Sequence, residues 1–200
     1  WTLALSAIAF AGGGVGGLVI ALVRAGTLQA PRVIAQGIIR VFQGTPLLMQ
    51  LFLVYFGANI FGLQLGAWTA AAIALSLHAS AYLGEIWRGC IQAVAPGQTE
   101  AATALGLSYR DRMRYVILPQ AARIAVAPTV GFLVQLIKGT SLASIIGFME
   151  LTRSGQIINN ATFQPFTVFS IVAAIYFLIC WPLSLLAQRL ERHFSRATAR

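Results

Sequence analysis

An all-α integral membrane protein is the fold class this sequence predicts, and three observations predict it. Hydrophobic residues fill 58% of the 200 positions and charged residues only 10%, whereas a soluble globular domain is roughly one quarter charged. Stretches without charge recur at the length of about 20 residues that a helix needs to cross a hydrocarbon core of about 30 Å. Basic residues are also sorted. With the N-terminus outside, five crossings gather Arg24, Arg32 and Arg40, then Arg88, Arg110, Arg112, Arg114 and Arg123, then Arg189, Arg192, Arg196 and Arg200 on the inner side. That is twelve of the 14 basic residues, leaving only Lys138 and Arg153 elsewhere. Retention of Lys and Arg in short cytoplasmic loops makes this an N-out, C-in topology.

Each span has its own justification. Span one is residues 1–23, charge-free up to Arg24, with small-xxx-small pairs Gly12/Gly16 and Gly13/Gly17 that permit close helix packing. Arg40 and Glu85 bracket 44 uncharged residues, about 66 Å as a single helix and twice the hydrocarbon thickness, so this stretch must be a hairpin. Gly57, Asn59, Gly62 and Gly66 mark its turn, giving span two at 46–61 and span three at 67–87. Span four, 124–146, is interrupted near 138–141 by Lys138, Gly139, Thr140 and Ser141, and 166–187 is an unbroken span five. The whole of 1–200 reads as one transmembrane domain.

The net charge of +9 reports orientation and contact with the lipid bilayer; a nucleic-acid partner is not expected. Cys90 and Cys180 show no CxxC spacing and imply neither a disulfide nor a metal site. The glycine cluster at 12–17 lies inside an apolar span without a lysine, so it is a packing surface and not a nucleotide loop, and no GxxxxGK[ST] stretch occurs.

The polar segment 93–120 carries the strongest local signal. Thr99 is the expected N-cap of a first short helix, Glu100 places negative charge at its N-terminus, and Gly106 ends it in a left-handed conformation. Ser108 with Asp111 resembles a capping box opening a second helix that Pro119 closes. By composition this loop suits either docking of a partner, through small residues such as Ala101 and Ala102 with charged rims, or an amphipathic segment lying on anionic lipid.

Glu100-Ala101-Ala102 with Gly106, followed by Ile117-Leu118-Pro119-Gln120, resembles the EAA loop of the membrane subunits of bacterial ATP-binding-cassette importers. Gly44-Thr45-Pro46-Leu47-Leu48, Ala81-Tyr82-Leu83-Gly84-Glu85, Leu118-Pro119-Gln120-Ala121, Thr140-Ser141-Leu142-Ala143-Ser144 and Glu150-Leu151-Thr152 are similar to the polar amino acid permease branch, the histidine, glutamine, glutamate and arginine permeases. The resemblance runs from Trp1 to about Glu191. It implies a non-catalytic permease subunit in the bacterial cytoplasmic membrane that pairs with an identical or homologous permease. It also implies two cytoplasmic ATP-binding subunits, an extracytoplasmic solute-binding protein and an amino acid substrate. ATP and Mg would belong to the partner, with no cofactor in this chain. Glu100, Ala101, Ala102, Gly106, Leu107, Arg110 and Arg112 would form the ATPase-coupling surface. The chain departs from the family pattern in having Gly139 where relatives show Asp after the lysine, Gly131 where they show Asn, and Gln43 where they show Arg before Gly-Thr-Pro.

Ionisable groups at membrane depth need a partner or a wet cavity. Glu85 has Arg88 at i+3 and is expected to be structural. Gln135, Lys138 and Glu150 are candidates to border a substrate path, Glu150 meeting a substrate amino group and Gly139-Thr140-Ser141 exposing unwound backbone. The bland alternative has Lys138 snorkelling outward and Glu150 pairing with Arg153 at the surface. His78, between Ser76 and Ser80, is either a lumen residue or simply hydrogen-bonded to a neighbouring helix, and nothing at helical spacing completes a metal site. The alternative, an ion-gradient-driven secondary transporter or channel subunit, would show paired acidic or proton-relay residues within spans, of which the sequence offers few, and a membrane enzyme would need catalytic residues converging with His78 or His193, which are not visible.

Overall fold

The computed structural model describes residues 1–198, with side chains through Arg192; the side chains of His193 and Arg196, and Arg200 itself, lie outside the described residues. All regular structure among the described residues is helical. Helix α1 spans Thr2–Ala25, α2 Gln29–Gly44, α3 Leu47–Ile60 and α4 Ala67–Gln92. A short α5, Pro96–Ala104, and a single turn α6, Tyr109–Asp111, lead through a wide π-helical stretch, Arg112–Ile117, into α7, Leu118–Gly139. A 3-10 segment, Thr140–Ile146, then α8, Leu151–Thr162, and α9, Pro165–Thr198, complete the chain.

The centre of the fold is the α1–α4 pair, its most extensive interface. The two helices run parallel, and the glycines of α1 face small residues of α4: Gly12 meets Ser76, Gly13 meets Ala79, Gly16 meets Ser80, and Gly17 meets Leu83 and Gly84. A Cβ on Gly17 would lie 2.9 Å from that of Leu83 and 3.0 Å from the Gly84 amide nitrogen. The backbones are thus closer than any side chain allows, which is the packing that small-xxx-small spacing predicts. Leu5, Ala9, Leu51, Ala74, Leu75 and Phe132 belong to the same buried cluster.

Among the described residues, three helices are by length and composition apolar enough to cross a membrane: Thr2–Ala25, the continuous run Tyr109–Ile146, and Pro165–Arg192. The pair Gln29–Gly44 and Leu47–Ile60, bent by 104°, would add a fourth. The 26-residue α4 is long enough but is not among them, a departure from the five apolar spans read from the sequence. Its position explains its composition. Ala70, Ala71, Ala74, Leu75, Ala79, Ala81, Leu83 and Gly84 are buried against neighbouring helices, so α4 meets protein where α9, with exposed Ile171, Ile175, Leu178 and Trp181, presents a lipid-like face.

Two further features differ from the sequence reading. Residues 29–44, where the arginines suggest an inner loop, form the amphipathic α2, with Arg32 and Arg40 exposed and Ala35 and Ile39 buried. Thr45 is extended, φ −114° and ψ 140°, as the residue before Pro46 must be, and this produces the sharp corner into α3. Pro119 does not close the second loop helix. It occupies the first turn of α7, where a missing N–H is tolerated, and the helix runs on through the π-helical stretch.

Candidate functional site

Helix α7 has four distinct sides. Phe132 and Leu136 join the central core, Val134 and Ile137 pack with Cys180 of α9, and Ala122, Ala125, Thr129 and Leu133 face an apolar groove against α1. The remaining side carries Ile124, Pro128, Gly131, Gln135 and Lys138, within an arc of about 80° at 100° per residue. Gln135 and Lys138 are exposed, and a Cβ on Gly131 would meet nothing within 4 Å. Antiparallel to this row, α4 presents His78, Tyr82, Glu85 and Gly89 at i, i+4, i+7 and i+11. The two rows join in a cavity of about 430 Å³ lined by Gln43, Tyr82, Glu85, Arg88, Ile124 and Pro128. The Tyr82 ring stacks on Phe132 at 5.6 Å and on His78 at 4.5 Å. An open face thus runs between α4 and α7, with Glu85 at one end, Gln135 and Lys138 at the other, and apolar residues such as Ile124 and Pro128 between them.

The charges on this face are unevenly answered. Glu85 accepts from Arg88 Nε at 2.9 Å, pairs with a second Arg88 nitrogen, and lies 3.8 Å from Arg24 Nη2. One carboxylate therefore faces two guanidiniums, as the i,i+3 spacing anticipated for Arg88. Lys138, in the last turn of α7, has no carboxylate within 4 Å among the described residues.

Glu150 sits elsewhere and is committed. It is 2% exposed and is the N-cap of α8, accepting from the amides of Arg153 at 2.7 Å and Thr152 at 2.9 Å, while the Tyr176 hydroxyl donates to it at 2.8 Å. Neither the path role nor the surface pairing with the Arg153 side chain describes this geometry. The carboxylate is buried because three donors satisfy it. The break after Lys138 is also closed within the chain. Thr140 Oγ1 donates to the Ile137 carbonyl and Ser141 Oγ to that of Lys138, both at 2.7 Å. The helix tightens into the 3-10 segment and stops at Gly147, φ +86°, without presenting those carbonyls to a ligand.

His78 is tied to a residue the sequence reading missed. Gln50 of α3 is 5% exposed, and its Nε2 lies 2.7 Å from the Phe42 carbonyl, 3.0 Å from that of Thr45 and 3.0 Å from Thr45 Oγ1. Because that nitrogen faces two carbonyls it must be the amide donor. Oε1 therefore accepts from His78 Nδ1 at 3.0 Å, which fixes the proton on Nδ1. One glutamine thus holds the α2–α3 corner shut and ties it to α4. Its signal in the sequence was a lone glutamine four residues after Pro46 in an apolar span, a position where a polar side chain has to find partners.

At the end of the bundle bearing Arg24 and Arg88, the polar loop forms a capped corner. Helix α5 starts at Pro96 with Ala95 preceding it, so Thr99 is internal and not a cap; proline's fixed φ suits the first turn. Its far end is a Schellman closure: the Gly106 amide donates to Thr103 O at 2.9 Å and Leu107 to Ala102 O at 3.1 Å, with Gly106 at φ +75°. Ser108 then caps α6, accepting from the Asp111 amide at 3.2 Å. Arg112 spans the corner to Thr103 Oγ1 at 2.8 Å, and Tyr109 Oη donates to the Ala25 carbonyl of α1 at 2.9 Å. Glu100, Ala101, Gly106 and Arg110 are exposed and Leu107 is half-buried. Ala102, 3% exposed, packs inward and cannot offer its side chain to a partner, a correction to its place in the expected coupling surface. Leu105, 81% exposed at the tip, is the apolar residue that the motif reading overlooked.

The family model described as binding-protein-dependent transport system inner membrane component matches residues 6–199. The chain is 40% identical over 195 residues to the probable amino-acid ABC transporter permease protein YckA of Bacillus subtilis, covering 98% of this chain and 86% of that one. It is 37% identical over 193 residues to the glutamine transport system permease protein GlnP of Escherichia coli, covering 96% and 88%. With the L-cystine transport system permease protein TcyB of Bacillus subtilis it shares 36% over 201 residues, covering 100% and 86%. Among solved structures, an amino acid ABC transporter crystallised with histidines superposes with a TM-score of 0.91 at 41% identity, over 96% of this chain and 90% of that one. The inward-facing MetNI methionine ABC transporter shares the fold, with a TM-score of 0.77 at 20% identity over 96% and 92%.

Proposed function

Because the chain belongs to the family of binding-protein-dependent transport system inner membrane components, we propose that it is the permease subunit of an ATP-driven amino acid importer, crossing the membrane five times, N-out and C-in. In this reading α4 is the fifth crossing, less apolar than the others because it lines the path and is packed by protein. The open face of α4 and α7 borders the translocation path, closed on its other side by a second permease, identical or homologous. The corner formed by α5, Gly106 and α6 docks on a cytoplasmic ATP-binding subunit. A second such subunit serves the other permease, and an extracytoplasmic solute-binding protein delivers the amino acid. ATP and Mg act on the partner, whose closure reaches the bundle through Tyr109 on α1 and through the continuous helix from Tyr109 to Gly139, giving alternating access.

The observation that carries this reading is the pair of aligned polar rows, since polar groups inside a membrane bundle are retained where they find partners or water. Its test is cysteine labelling of the reconstituted importer. Cys90 lines the cavity at Glu85, so Cys90 and Cys180 are first replaced by alanine, and a thiosulfonate reagent too polar to enter lipid should then give low background. Gly131→Cys, on the open face, should label at least tenfold faster than Leu178→Cys on the apolar face of α9. Equal rates would show that the face is dry and reject it as the path.

A further inference from the structure

The open face holds fixed charge, and its balance bears on what passes along it. Lys138 lies ten residues beyond Pro128, which shares a cavity with Glu85. At 1.5 Å per residue this puts the ammonium about 15 Å along α7 from the nearest acid on the face. That acid already serves Arg88 and Arg24. Glu150, the other carboxylate of the membrane region, is buried and fully engaged by two amides and Tyr176. No exposed acid on this face is free of a basic partner, while one exposed ammonium has none, and Gln135 one turn away adds an exposed amide.

An outward-snorkelling lysine would also be exposed, but the surroundings of Lys138 argue against lipid contact. Its row contains Gly131 and Gln135 and leads into the cavity at Glu85, whereas the lipid-like surface of α9 bears large apolar side chains throughout its exposed residues Ile171, Ile175, Phe177, Leu178 and Trp181. A lone ammonium beside a path attracts anions and repels cations, and in a poorly hydrated passage the attraction is stronger than in water.

Resting on the reading of this face as the translocation path, we infer that the substrate class is amino acids with an acidic or uncharged side chain, an acidic side chain being held through its carboxylate by Lys138 and an uncharged polar one more weakly by Lys138 and Gln135, and that cationic amino acids are excluded. The charge on Lys138 is the specificity element; Glu150 takes no part.

The test uses the assembled importer, permease with its ATP-binding subunits, in lipid nanodiscs without solute-binding protein. Equilibrium binding of radiolabelled L-glutamate is displaced by unlabelled L-glutamate, L-glutamine and L-arginine. L-glutamate should compete best, L-glutamine about tenfold less well, a difference of about 1.4 kcal/mol, and L-arginine least. Lys138→Gln should abolish the preference of L-glutamate over L-glutamine, Lys138→Arg should keep it, and Lys138→Glu should bring L-arginine ahead of L-glutamate. Binding strongest for L-arginine in the wild type, no binding of any of the three, or a preference unchanged in Lys138→Gln would each overturn the inference. ATP-dependent uptake by the same preparation is measured separately. Its absence alongside a Lys138-dependent preference would refute the importer reading and leave the charge selection standing.

Discussion

Replacing Gln50 with leucine tests how the α2–α3 corner is held. The substitution keeps side-chain bulk but removes the amide that serves the Phe42 and Thr45 carbonyls and accepts from His78. Thr45 Oγ1 is not left idle, because it already donates to the Val41 carbonyl at 2.8 Å. Three groups therefore lose a partner: two carbonyls and the His78 Nδ1–H. Hydrogen bonds in membrane proteins average about 0.6 kcal/mol, and soluble ones about 1 kcal/mol. Three losses thus come to about 2–3 kcal/mol. A shift of about 2–4 °C per kcal/mol for a protein of this size predicts a midpoint for thermal unfolding about 4–12 °C lower, read by tryptophan fluorescence of the assembled protein in nanodiscs. The pair Gln50→Leu and His78→Phe should also couple: the double variant should lose about 1 kcal/mol less than the sum of the single losses, because the same bond is deleted only once. A Gln50→Leu midpoint within 2 °C of wild type, or strict additivity, would refute the claim that this amide closes the corner.

Gly17→Val drives side-chain atoms into Leu83 and the Gly84 backbone, so the central helix pair should separate; size-exclusion profiles should show loss of most monodisperse protein, while Gly37→Ala, with open space around it, should express as wild type. Gly106→Pro and Glu100→Arg should each cut ATP-driven uptake in proteoliposomes at least tenfold with the folded permease still recovered, because one removes the left-handed residue and an amide of the corner and the other reverses charge on its exposed rim; undiminished uptake and ATPase docking would exclude the coupling role. Glu150→Gln keeps one acceptor oxygen but weakens the α8 cap and the Tyr176 bond, so it should cost about 1–2 kcal/mol of stability and leave the apparent affinity for transported amino acid within twofold, measured by uptake against substrate concentration.

Much of the helical layout was legible because the physics behind it is local. The need for a hairpin in 41–84 followed from length, and the glycines placed its turn, which lies at 61–66 just beyond Asn59; the glycine row on α1 announced a close neighbour, and the left-handed Gly106 and capping Ser108 were readable from residue type. What failed to show in the sequence depends on contacts between elements. Thr99 looked like a cap because Thr favours that position, but Pro96 had already started the helix. Pro119 looked like a stop because proline breaks helices, but a π-helical stretch before it removes the need for its N–H. Glu150 looked like a path residue because a lone acid at membrane depth is costly, and only the fold brings Tyr176 and two amides to it. Helix α2 was missed although Ile34, Ile38 and Val41 oppose Arg32, Gln36 and Arg40 at helical spacing, a pattern obscured by reading the arginines as loop charges.

The distribution of polar groups follows a single constraint. Inside a bilayer an unsatisfied donor or acceptor has no water to turn to, so the polar residues separate into those that find partners in the chain and those on the open face. Gln50, Thr140, Ser144 and Glu150 are buried and hydrogen-bonded. Gln135 and Lys138 are not, yet they share a row with Gly131 and lie next to the row of His78, Tyr82 and Glu85. Arg24 Nε and Asn159 Oδ1 are the buried side-chain atoms without a partner among the described residues; Arg24 lies beside Glu85, where the open face ends. Chance placement of polar residues would scatter unpartnered ones around α7, and lipid contact would select against them on every outer side. Gln135 and Lys138 fall on one arc of α7, opposite the apolar groove and antiparallel to the row of His78, Tyr82 and Glu85 on α4, whereas the exposed Arg123 lies off that arc near the polar loop; this placement supports the proposal that the arc borders a path.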